Sequence, residues 1–415
     1  MLPPPNNIVS RWRWPSSLSA MRYRNFRLFF FGQLVSVTGT WMQATAQQWL
    51  VYRLTGSQLS LGAVDFANYL PVLLLSLFMG IVVDRVPRRR LLVITQSWFT
   101  LLAAVLALIT YLGIVQYWHI LLLSALMGLG TALDMPARQA LYVDMVERED
   151  LINAIALNSS VFNGARIIGP ALSGILVAAL GEAPAFAVNA LSYLAVIAGL
   201  LLMRLLPRKQ PLRNRSGGSA FMEGVRYIAG ERRTLGLVSM TALYNLLAFP
   251  FVVLLPVFAR DILHTGVEGF GGLVSARGAG ALVGAAGIAI FGMRQHKGRM
   301  LILSRGLTAV AAAGLAFSKT QLQASLSLSV AGFGMIMFLA NTNTLIQLLV
   351  PEELRGRVMS SFTWALGGFW PLGSLLMGYL GDRIGSQATV LFAAATSIIL
   401  AIAGLFLFPE TKKMA

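Results

Sequence analysis

The sequence predicts an all-α membrane protein: twelve transmembrane helices arranged as two pseudo-symmetric six-helix bundles. Three observations carry that expectation. Windows of about 20 apolar residues, each able to cross a hydrocarbon core of about 30 Å, recur from end to end of the 415 residues. Lys and Arg gather in alternate connections between those windows, as the positive-inside rule describes for loops that stay in the cytoplasm. A glycine pattern in the fifth window returns in the eleventh, roughly half a chain length later.

Composition removes other classes. Hydrophobic residues make up 56% of the chain and charged ones only 12%, about half the soluble norm. A β-barrel would show alternating segments of about ten residues. The net charge of +17 could serve nucleic acid, but the basic residues sit in short loops where topology explains them, so no nucleic-acid partner is expected. The absence of cysteine excludes disulfides and thiol chemistry. No GxxxxGK[ST] string occurs, so no P-loop hydrolyses ATP. No nucleophile–base set marks an enzyme, and no cofactor is expected. No metal site is expected either, since His119, His264 and His296 stand far apart in sequence.

Residues 1–26 read as a cytoplasmic or interfacial N-terminus. Arg11, Trp12, Arg13, Trp14, Arg22 and Arg24 mix aromatics with arginines, which suits the headgroup zone. They lead directly into the first span with no signal-peptide pattern. Spans 1 to 6 are expected near 27–52, 59–83, 91–113, 119–140, 155–180 and 186–206, forming an N-terminal bundle over 27–206. Segment 207–233 is polar and basic, holds Pro207, Pro211, Gly217 and Gly218, and reads as a cytoplasmic linker. Spans 7 to 12 follow near 235–260, 269–293, 300–317, 323–347, 358–380 and 388–408, a C-terminal bundle over 234–408 with a tail at 409–415. One side of the membrane receives Arg85 to Arg90, Arg138, Arg148, the linker, Arg294 to Arg299, Arg355 and Arg357; the other receives only Arg53, Arg260, Lys319 and Arg383. Both termini are therefore expected in the cytoplasm. The repeat sets Arg166-Ile-Ile-Gly169-Pro170-Ala-Leu-Ser-Gly174 beside Trp370-Pro-Leu-Gly373-Ser-Leu-Leu-Met-Gly378. Parallel six-helix repeats point to a transporter with its site between the halves.

Those residues also carry a family signature. Gly80-xxx-Asp84-Arg85-xx-Arg88-Arg89-Arg90, between spans 2 and 3, resembles the loop motif of the major facilitator superfamily, with Pro87 where that family usually has glycine. Gly164-Ala-Arg-Ile-Ile-Gly169-Pro170-xxx-Gly174 is similar to its span-5 glycine–proline motif, associated with exporters, although one glycine of the closing pair is missing. The strings GTWMQ…WLVYRLTGS at 39–57 and DMPARQA at 134–140 resemble the branch containing bacterial siderophore exporters of the enterobactin type and macrolide-efflux proteins. The resemblance implies a central cavity lined by spans 1, 4, 7 and 10. It also implies an Asp84–Arg138 ion pair, beside Arg357, that holds the cytoplasmic side closed. A second match, Gly378-xxx-Asp382-Arg383-Ile-Gly385, falls on the outer side by parity of crossings. The repeat partner of the first copy is expected at Met293 to Arg299, so Asp382 and Arg383 read as a helix-end charge pair. Gly169, Pro170 and Gly174 fit either a bend or plain tight packing.

Candidate site residues follow from spacing. Gln33, Ser36, Thr40, Gln43 and Gln47 share one face of span 1. In lipid that stripe must face protein or water, so it is either interhelical hydrogen-bonding or a cavity wall. Given the resemblance, the cavity would also take Thr131 and Asp134 of span 4, Tyr244 and Asn245 of span 7, and Asn341 and Thr344 of span 10. Amides, hydroxyls and aromatics suit a large amphipathic solute rather than a small anion, which would need clustered arginines. Asp65 and Asp134 are the acids well inside spans, with Arg166 and Arg277 the matching bases. At 1.5 Å per residue, Asp65 lies about 10 Å in from one face and Arg166 about 18 Å in from the other, nearly level in a core of about 30 Å. A salt bridge or a proton relay between them is therefore possible. Asp134 fits proton coupling, or else a local pair with Arg138.

The expected activity is secondary active transport by alternating access. It would be proton-coupled export, as an antiporter, of a bulky amphipathic small molecule such as a drug or siderophore. The setting is a monomer, multi-pass in the cytoplasmic (inner) membrane. Uptake or lysolipid transport by the same fold is the alternative within transport. A non-transporting receptor or scaffold is the alternative outside it.

Overall fold

A computed structural model describes residues 15–205, 217–291 and 297–407. Residues 1–14 (with Arg11 to Trp14), residues 206–216 at the start of the expected linker, residues 292–296 and the tail from residue 408 lie outside the described residues.

The first half holds α1 (Arg24–Thr55), α2 (Gln58–Arg85), α3 (Arg88–Tyr111), α4 (Tyr117–Met145), α5 (Leu151–Leu180) and α6 (Glu182–Leu202). A short helix, α7 (Gly217–Gly230), follows within the expected linker. The second half holds α8 (Arg232–Leu247), the one-turn α9 (Leu255–Val257), α10 (Gly266–Phe291), α11 (Lys297–Ala316), α12 (Gln321–Leu349), α13 (Glu352–Ile384) and α14 (Ser386–Leu407). No strand occurs among the described residues. Nine of these segments are apolar enough throughout to be membrane spans. The other three spans, α1, α11 and α13, are diluted by polar residues or shortened by their ends.

Local chemistry sets the boundaries. Gly56, at φ +62°, closes α1 in the left-handed conformation that glycine adopts without strain. Ser57 then caps α2 by accepting from the Ser60 N–H at 3.2 Å. The expected loop Gly80–Arg90 is almost entirely helical. Gly80, Asp84 and Arg85 fall in the last turns of α2, and Arg88, Arg89 and Arg90 form the first turn of α3. Only Val86 and Pro87 separate them.

Span 7 departs from the expected continuous helix over 235–260. α8 stops at Leu247, and 3₁₀, α and π turns carry the chain on to Ile262. Pro250 lacks an N–H and crowds the carbonyl four residues back, which ends the helix. The Leu247 carbonyl accepts instead from Thr396 Oγ1 of α14 at 3.0 Å.

Two faces of the molecule differ. The near face bears the α2–α3 turn and the 3₁₀ segment Ser16–Arg22; the far face bears the α1–α2 turn. At the far face one apolar core crosses both halves, joining Leu50, Tyr52 and Leu61 to Phe258, Phe270 and Met377. At the near face there are two cores instead. One, around Phe26, Leu92 and Leu141, belongs to the first half; the other, around Leu237, Phe338 and Phe362, belongs to the second. The halves meet along α2 against α13 and α5 against α10. A Cβ on Gly62 would come within 2.3 Å of the Ser374 carbonyl, and one on Gly271 within 2.4 Å of that of Pro170. Only small residues permit such approach. On α5, the contact face through Gly174, Pro170 and Arg166 continues as Asn163 and Ser159, which are partly or fully exposed. The cleft between the halves thus opens toward the near face and ends near Arg166.

Candidate functional site

Where α5 and α10 part, charged and aromatic side chains from both halves converge. The Ser275 hydroxyl donates to the Ile167 carbonyl at 2.6 Å, and Gly278 lies against the Arg166 carbonyl. The Arg166 guanidinium sits over the Trp41 ring of α1, 5.2 Å from its centre. Arg277 of α10 sits over Trp370 of α13 at 6.0 Å, with Nη2 3.5 Å from the Met335 sulfur. Asp65 of α2 accepts from Trp370 Nε1 at 3.0 Å and from the Ser374 hydroxyl at 2.5 Å, both across the interface. Asp65 does not pair with Arg166. Arg277 instead lies within electrostatic reach of Asp65, Arg166 and Tyr69. Asp65, Arg166 and Arg277 are each partly buried.

The polar stripe of α1 is largely spent inside the first half. Gln43 Oε1 accepts from Asn189 at 2.7 Å, Gln47 donates to Ser124 at 2.8 Å, and Thr40 meets the Tyr193 hydroxyl at 3.2 Å. Ser36 is buried, and Gln33, 1% exposed, leaves both amide atoms unpaired. Asp134 is 4% exposed and does not border the cleft. It accepts from Thr95 and Gln96 of α3, both at 2.8 Å, and from Arg138 at 2.5 and 3.0 Å. Thr131 donates to its own helix, to the Met127 carbonyl.

In the second half, Tyr244 is 0% exposed. Its hydroxyl donates to the Ser397 carbonyl at 2.6 Å, and its ring packs on Phe249 and Phe338. Asn245 and Asn341 are buried and donate to the carbonyls of Thr241 and Met337. Thr344 is exposed.

At the near face, Arg88 donates to Asp144 at 2.8 Å, and Arg89 to the Leu201 carbonyl at 2.6 Å; Arg85 and Arg90 are exposed. The side chain of Asp84 lies outside the described residues, while Arg138 is held by Asp134. Arg357 pairs with Glu223 of α7. Asp150, just before α5, is bound by Arg22 and Tyr23. Burial pushes its carboxyl up, but hydrogen bonds from Ser19 and Tyr23 and the Arg22 charge outweigh that and hold it below the usual carboxylate range.

Within the span-5 motif, a Cβ on Gly169 would lie 2.7 Å from Trp41 Cβ, and one on Gly174 3.1 Å from Glu268 Cα. Pro170 is buried, while Gly164 has open space beside it.

Two features escaped sequence reasoning. Trp370 holds the same position of the internal repeat as Arg166, a signal that could have placed it at the interface beside that candidate. Asp382 is more than a helix-end charge. It accepts from the Ser57 hydroxyl at 2.7 Å and from the backbone N–H groups of Gln58 and Leu59 at 2.7 and 3.1 Å, capping α2 from the opposite half.

Similarity to known proteins fits this architecture. The transmembrane secretion effector family matches residues 15–414. The chain belongs to that family, within the major facilitator superfamily. The multidrug efflux pump Tap of Mycolicibacterium fortuitum is 29% identical over 407 residues, covering 93% of this chain and 96% of the relative. The staphyloferrin A transporter of Staphylococcus aureus is 25% identical over 397 residues, covering 93% and 97%. Among solved structures, the nucleoside transporter NupG superposes with a TM-score of 0.75 at 16% identity, over 92% of this chain and 99% of that one. This secretion effector is thus a multi-pass membrane transporter of the major facilitator fold.

Proposed function

We propose that the chain exports a bulky amphipathic small molecule across the cytoplasmic membrane by alternating access, in exchange for protons. The relatives named for multidrug efflux and for a siderophore support the substrate class. The near face, rich in Lys and Arg, is taken as cytoplasmic, so the described conformation is open to the interior.

The observation that carries proton coupling is Asp65. Its donors, Trp370 and Ser374, come from the other half. They remain in place only while the far face is closed. Separation of α2 from α13 would strip both donors and hydrate the carboxylate. Its proton affinity then differs between the two arrangements, which is what an exchanger needs. Asp65 takes this role in place of Asp134, whose partners all belong to one half.

Efflux of a panel of fluorescent drugs from pump-deficient cells tests the proposal. Cells expressing the protein should retain less of at least one compound. That difference should vanish with a proton uncoupler and in Asp65→Asn. Unchanged retention across the panel, or full activity in Asp65→Asn, would count against it.

A further inference from the structure

We infer that Arg166 and Arg277 together bind the anionic group of the transported compound, with Trp41 and Trp370 flanking its apolar body. The inference rests on the export reading above and narrows its substrate to amphipathic anions, carboxylates foremost, because a guanidinium fork matches a carboxylate in two parallel hydrogen bonds.

Arginines elsewhere in the chain show the contrast. Arg138 is held by Asp134, Arg53 by Glu182 and Arg88 by Asp144. In these three pairs the arginine's charge is met by a carboxylate, while Arg89 and Arg24 are met by the backbone carbonyls of Leu201 and Leu202. Arg166 and Arg277 have no carboxylate at ion-pair distance among the described residues. Arg166 Nε is shielded from water and bonded to nothing. Arg277 Nη2 has only the Met335 sulfur, a weak acceptor. The nearby acid, Asp65, directs Oδ2 to Trp370 and Ser374. Arg305 also lacks a carboxylate, but it is sealed within the second half between Tyr244 and Phe338, where no cleft reaches it.

Location strengthens the case. The two arginines come from opposite halves, on α5 and α10, at the point where Gly278 lies against the Arg166 carbonyl. Like charges drawn together where the cleft ends favour an anion between them. Each stacks on a tryptophan, so an aromatic or apolar skeleton attached to that anion finds indole surface on either side. The expectation of a cavity unsuited to a small anion rested on no arginines clustering in the sequence, whereas α5 and α10 bring together two that lie far apart in it.

The test uses two xanthene dyes of similar shape and opposite charge, fluorescein (anionic) and rhodamine 123 (cationic). Binding to the purified full chain in lipid nanodiscs would be followed by fluorescence anisotropy at neutral pH, with no ion gradient. Fluorescein should bind about tenfold or more tighter than rhodamine 123. Arg166→Gln and Arg277→Gln should each weaken fluorescein by about tenfold and leave rhodamine 123 unchanged or tighter. Arg166→Lys and Arg277→Lys keep the charge without the fork. They should bind fluorescein at intermediate strength, and they serve if a glutamine variant does not fold. Equal or stronger binding of rhodamine 123 by the unaltered protein would overturn the inference, as would indifference of fluorescein to these substitutions. Displacement of fluorescein by an equal concentration of inorganic phosphate would overturn the part given to the tryptophans. With no gradient present, failure here leaves export standing, and failure of the efflux assay with dye binding intact leaves the anion site standing.

Discussion

Arg138 and Arg166 both lie inside expected spans, and the chain treats them differently. Arg138 donates twice to Asp134, which also accepts from Thr95 and Gln96. The carboxylate oxygens of Asp134 are thus met by donors from both helices, so the cluster fastens α3 to α4. Removing one partner strands the other charge. Asp134→Ala should cost about 3 kcal/mol or more and lower both melting temperature and yield, while Asp134→Ala combined with Arg138→Met should recover much of the loss. A normal melting temperature for the single variant would return Asp134 to the list of coupling residues. Spacing brought this pair into view, but not its environment. Asp134 shares a helical face with Thr131 in the sequence; which neighbour that face meets depends on the rotation of α4 within its bundle, and it meets α3. Tyr244 was misjudged for a related reason, since the helix expected to present it to a cavity breaks at Pro250 and buries the ring against Phe338.

At the scale of elements, hydropathy and charge made the spans legible, including the six-and-six division. Less legible was the pairing of helices across the halves. Parity of crossings correctly sets Asp382 on the face opposite Asp84, yet says nothing of what lies beside it. Its partner is the N-terminus of α2, where exposed N–H groups and the helix dipole favour a carboxylate. Gly378 and Gly381 bring α13 close enough, since a Cβ at either would collide with Gln58. This contact ties α2 to α13 at the far face. Asp382→Ala should loosen it by about 1 kcal/mol, shifting the population toward the state open at the far face. Cross-linking between Leu59→Cys and Tyr379→Cys, introduced into a chain that has no cysteine of its own, should fall in yield when Asp382 is replaced. An unchanged yield would reduce Asp382 to a surface charge.

For the whole molecule, the internal repeat announced two bundles, and the structure adds how they are poised. One shared core seals the far face, two separate cores leave the near face divided, and the charged cluster of Asp65, Arg166 and Arg277 lies where sealing ends. The proposed function has the halves rock about that cluster and expose it to one side at a time, which is the central claim. Pulsed electron-spin distance measurements on two labelled pairs test it most directly. Glu149→Cys with Glu353→Cys reports the near face, and Leu112→Cys with Lys319→Cys the far face; all four positions are exposed. Between alkaline and acidic buffer, and between the unaltered chain and Asp65→Asn, one distance should lengthen as the other shortens. Distances that stay fixed, or that change in the same sense, would contradict alternating access governed by Asp65.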